Sequence, residues 1–103
     1  MILAFAVIML GPITKWDDKK PDYVYVSDAT ADSAERCIID SDGWPAPMVY
    51  KQSDRPGITT IIYLHPHGWS LGRIDLITKA DGLHVTSWVG PKRILECAPP
   101  KNK

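Results

Sequence analysis

The chain opens on ten apolar residues, MILAFAVIML, closed by Gly11-Pro12 and followed by a polar stretch over residues 15–22. Beyond that point the apolar positions follow two different periods. Tyr23-Val24-Tyr25-Val26 is β-branched and aromatic and lies between Pro21 and Ser27-Asp28, which predicts a short strand. Ala34, Cys37, Ile38 and Ser41 then fall at helical spacing and predict one amphipathic helix with a narrow apolar stripe. Ser27, Asp28, Thr30 and Asp32 are all N-cap types, and Asp32-x-x-Glu35 fits a capping box. Gly43 and the run Trp44-Pro45-Ala46-Pro47 stop the helix.

From there the period is that of strands. Residues 48–52, 58–64, 71–78, 83–89 and 93–98 read as extended segments. Between them stand Ser53-Asp54-Arg55-Pro56-Gly57, the loop 65–70, the hairpin signal Asp81-Gly82, and Gly90-Pro91. Short loops between strands of this spacing describe an antiparallel meander, and the helix has to cover one of its faces. The expected fold class is therefore α+β: one amphipathic helix packed on an antiparallel β-meander of about four to six strands. The domain reading is an apolar N-terminal segment 1–14, a polar linker 15–22, a single domain 23–98 and a frayed tail 99–103.

Length bears most on the first segment. Ten residues span about 15 Å as a helix, half a bilayer core, so no integral membrane span is expected. The run suits the apolar region of a secretory signal, although no Lys or Arg precedes it and no small-x-small site follows it closely. An export signal, a first core element of the domain and a membrane-surface anchor are the three readings of 1–14.

The cysteine count adds a constraint. At 103 residues the core is small, and Cys37 on the helix with Cys97 in the last expected strand form a pair. A disulfide closing that loop contributes about 4 kcal/mol by chain entropy and persists outside the reducing cytosol. The location that follows is periplasmic or secreted, with a cytoplasmic protein as the alternative.

Formal charge is zero, which supplies no excess for a phosphate backbone, so nucleic acid is not expected as a partner. The distribution is uneven. Residues 16–54 carry nine acids against Lys19, Lys20, Arg36 and Lys51, and from Arg55 onward bases prevail. Either an acidic helix lies on a mildly basic sheet, or a basic surface meets an acidic partner.

Candidate chemistry is sparse. His65-Pro66-His67 offers two imidazoles, but His84 follows the turn at the far end of strand 71–78, roughly 25 Å away, so the three do not converge. Gly68-Trp69-Ser70-Leu71-Gly72 has the letters of a Gly-x-Ser-x-Gly motif, but it leads into the expected strand 71–78 rather than a helix, and no acid is placed to orient a base. There is no Cys-x-x-Cys and no phosphate-binding glycine loop. No catalytic residue, metal site or cofactor is assigned. Trp69, at a loop tip beside Arg73, is a candidate contact patch, since Trp and Arg anchor protein interfaces; His65 and His67 flank it. The favoured function is a small exported protein-binding module without catalysis: an inhibitor, an immunity-type protein or an accessory subunit. A small metal-dependent hydrolase using His65 and His67 and a cytoplasmic mobile-element binding protein are the alternatives.

Overall fold

The computed structural model describes residues 14–40, 47–65, 67, 70–88 and 93–101. After a 3-10 turn at Thr14–Trp16 come β1 (Tyr23–Ser27), α1 (Ala31–Asp40), β2 (Pro47–Lys51), β3 (Ile58–Leu64), β4 (Ser70–Lys79), β5 (Gly82–Trp88) and α2 (Arg93–Cys97). The strands make one antiparallel sheet in the order β1-β5-β4-β3-β2. Strands β2 to β5 form the expected meander, and α1 carries the chain from one edge of the sheet to the other. The fold is α+β.

Alternation in the strands decides what each face holds. Ile61 and Tyr63 of β3, Ile74 and Leu76 of β4, and Leu83 and Val85 of β5 point to one side. There they meet Ala34 and Ile38 of α1 and Ile94, Cys97 and Ala98 at the C-terminal end. Fully burying each of the larger side chains is worth about 1.5–3 kcal/mol, so this layer is the principal source of stability.

Helix α1 starts two residues earlier than a box at Asp32 would place it. Thr30 is the cap: its Oγ1 accepts from Ser33 N at 3.1 Å and its carbonyl from Ala34 N at 3.0 Å. Glu35 does not fold back on the helix start but reaches Lys51 Nζ at 2.9 Å. Of the expected stripe, Ala34 and Ile38 are buried, Cys37 turns toward α2, and Ser41 lies outside the described residues.

Segment 93–98, expected as a strand, is mostly helix. Ile94, Cys97 and Ala98 are buried at i, i+3 and i+4, the spacing of a helix face, and β1 already occupies the free side of β5. The Sγ atoms of Cys37 and Cys97 lie 2.04 Å apart, at disulfide-bonding distance. The pair is the expected one, but it joins α1 to α2 rather than a helix to a strand.

The tail also differs from a frayed end. Ser27 bridges Pro100 and Lys101 N donates to Val26 O at 2.7 Å, so the Val26–Ser27 end of the outer side of β1 is covered. Tyr25 fastens the same region by donating to Ala98 O at 2.6 Å. Burial, then the neighbouring Tyr23, pushes its phenol up to about 12. The apolar residues 1–13 lie outside the described residues; no helix among those described is long and apolar enough to cross a membrane.

Candidate functional site

The sheet face away from the helices is where the expected contact residue Arg73 lies. Register puts Met48, Ile62, Arg73 and Trp88 in one row across that face, and Tyr50, Thr60, Asp75, Thr86 and Val24 in the next. Arg73 is not offered to solvent as an anchor. Its Nε and Nη2 donate to the two carboxylate oxygens of Asp75 at 3.0 and 2.8 Å, and Nη1 reaches Asp17 Oδ1 at 2.7 Å. The guanidinium also lies 4.8 Å from the Trp88 ring centre. Only 12% of its side chain and 13% of that of Asp75 are exposed. Burial works against the charge, yet hydrogen bonds and charge from Asp75 and Asp17 prevail and raise the Arg73 pKa.

Asp17 belongs to the stretch read as a linker, and that stretch is a strap across this face. Trp16 is buried to 6% exposure and donates from Nε1 to Ser70 Oγ at 2.8 Å. Lys15 Nζ reaches Ser70 O, Trp88 Nε1 donates to Lys19 O at 2.7 Å, and Asp22 N to Ser87 O at 2.8 Å. A β-bulge makes room for it: the β3–β4 register shifts between Tyr63 and Leu64, so Ser70 pairs with Leu64. A single Trp amid charged residues was the available signal for this packing.

Trp69 lies outside the described residues. His65 and His67 are brought together: their rings stack with centres 5.1 Å apart, and His65 Nδ1 accepts from His67 N at 3.1 Å. That bond occupies one of the nitrogens a metal would need. His84 sits opposite Ile77 near the other end of the sheet, with Nε2 2.7 Å from Asp81 Oδ1, and this contact holds the Asp81 carboxyl below its ordinary range. Among the described residues no three His, Cys, Asp or Glu side chains are grouped to hold a metal ion.

A different feature forms at the hairpin end of the sheet, beside the start of α1. The start of α1, the loop 52–57 and the β4–β5 hairpin surround an open groove of about 610 Å³, within the roughly 300–1,000 Å³ common for ligand clefts. Leu83, Ile58, Pro56 and Ala31 supply apolar surface; Lys51, Arg55 and Lys79 stand around it with Asp32. Two glycines shape the walls. Gly57, at φ +84°, lets its loop turn so that its carbonyl accepts from Thr78 N at 2.9 Å. Gly82, at φ +137°, lies so close to β1 that a Cβ would come 2.8 Å from Ser27 O. Lys51 is held by Glu35, whose hydrogen bond and charge raise its pKa. Arg55 and Lys79 have no side-chain partner among the described residues.

No protein-family model matches the chain, and neither a curated protein nor a solved structure matches it significantly. Geometry is therefore the ground for any functional reading.

Proposed function

We propose that the protein is a small exported protein-binding module, an inhibitor, immunity-type protein or accessory subunit that performs no chemistry of its own. The observation that carries this reading is the groove at the hairpin end, which combines an apolar lining with two cations that have no side-chain partner among the described residues. Interfaces are built this way: apolar contact supplies affinity, and charges around it supply orientation. The Cys37–Cys97 pair at bonding distance supports export, since a disulfide persists in an oxidising compartment.

The test is site-specific photo-crosslinking in the native cell. A crosslinking residue at exposed Gln52, beside the groove, is expected to give one discrete heavier product, and the same residue at exposed Val24 on the opposite face none. A product from position 67 and not from 52 would move the surface to the His65–His67 loop. No discrete product from any of the three positions would end the binding reading. Intact mass of the protein from the same cells reports the disulfide as a loss of about two daltons on oxidation and locates any cleavage after the apolar segment.

A further inference from the structure

The groove's cations identify the chemistry of its occupant. From Arg55 onward the chain is rich in bases, and of the five Lys and Arg residues described there the fold pairs three. Arg73 is held by Asp75 and Asp17, Arg93 faces Glu96 at 3.5 Å, and Lys101 faces Asp28 at 3.4 Å. The two left over are Arg55 and Lys79, and both line the same groove. They come from a loop and a strand end that the Thr78 N–Gly57 O bond holds side by side, and both are exposed. A small free anion is held by buried donors; exposed cations bordering apolar surface suit an extended chain that bears carboxylates. Formal net charge of zero gives no comparable fit to a nucleic-acid backbone.

The geometry points to an acidic, extended stretch of a partner protein as the occupant, its carboxylates meeting Arg55 and Lys79 and its apolar residues lying over Pro56 and Ile58. This rests on the protein-binding reading and adds the nature of the segment bound. Rim charges of this type act mainly on the association rate and its salt dependence.

The probe is a labelled octapeptide of alternating Glu and Val, titrated against the full oxidised chain by fluorescence anisotropy. Arg55→Glu with Lys79→Glu is expected to weaken binding by about tenfold or more. Added salt should weaken the wild-type complex, and Ala80→Trp, which fills the groove without altering a charge, should abolish it. Arg55→Gln with Lys79→Gln, checked for an unchanged melting temperature, covers the case in which charge reversal disturbs folding. Equal binding of a Gln-Val octapeptide would overturn the acidic preference while leaving the protein-binding reading intact. Displacement by inorganic phosphate at millimolar concentration would overturn it in favour of a small-anion site, and tighter binding of oligothymidylate in favour of nucleic acid. A crosslink at Gln52 with no octapeptide binding would also overturn it, without touching the module reading.

Discussion

The two ends of the sheet contain the same kinds of residue and use them in opposite ways. At the strapped end, Arg73 is enclosed between Asp75, Asp17 and the Trp88 ring, and Trp16 seals the row beneath the segment 14–22. At the hairpin end, Arg55 and Lys79 stand at an apolar groove with no acid against them. A cation becomes part of the fold where alternation places a carboxylate two residues along the same strand face, as in Arg73-x-Asp75. It remains available for contact where it comes from a turn or a strand end. Burying Arg73 without its partners would cost several kcal/mol, whereas Arg55 and Lys79 have almost nothing to lose on folding.

The widest disturbance should come from the link that holds the helix layer serving both ends. Replacing Cys37 and Cys97 by Ser is expected to cost about 4 kcal/mol, a large share of the stability of so small a domain. Urea unfolding measures it, and hydrogen exchange should show both ends losing protection together; a loss confined to one end would mean that the helices do not serve them equally. Trp16→Ala should come next, at about 3 kcal/mol, because it empties a buried site and leaves Ser70 without its donor. Protection should then fall at the strapped end alone. A change below about 0.5 kcal/mol would return residues 14–22 to the status of a linker.

Alkali should act on the joint between β1 and α2, as well as on Tyr63, whose phenol is also pushed up by burial, and on the Lys51–Glu35 contact. Folding raises the Tyr25 pKa to about 12, so its contribution is complete below the unfolded value near 10 and is lost as pH rises through about 12. Absorbance and circular dichroism followed together should show unfolding in that window, and Tyr25→Phe should move the midpoint to higher pH. The smallest effect on stability is expected from Arg55→Gln and Lys79→Gln, each within about 0.5 kcal/mol by thermal melting. A larger loss would show that the hairpin end is organised like the strapped one.

Where a period was long enough, the residues announced their own structure. Ile74 and Leu76 alternate with Arg73 and Asp75, and β4 follows; Ala34 and Ile38 mark the buried side of α1. The last segment was too short for that. Six residues are too few to fix a period, although the i, i+3, i+4 spacing of Ile94, Cys97 and Ala98 suits a helix face, and β1 beside β5 leaves no edge there for a further strand. Periodicity carries no information on which strands are neighbours, so the closed edge at Pro100 was invisible as well. The groove was illegible for a related reason: its walls come from 29–32, 51–59 and 78–83, brought together by the sheet and by the φ values of Gly57 and Gly82. Arg73 misled because its exposure was inferred from a neighbouring loop, although its spacing from Asp75 already implied a shared face.

The order of the strands has a consequence for the time course of synthesis. Strand β1 is made before any other, yet its neighbour in the sheet is β5, so Tyr23 must wait for Ser87. At roughly 5–20 residues per second on the ribosome, that wait lasts seconds, while the hairpins of β2 to β5 can close as soon as they emerge. Among the described strands the one born first is thus the last to be paired, and the Val26–Ser27 end of its open flank is covered only when Pro100 and Lys101 have been added.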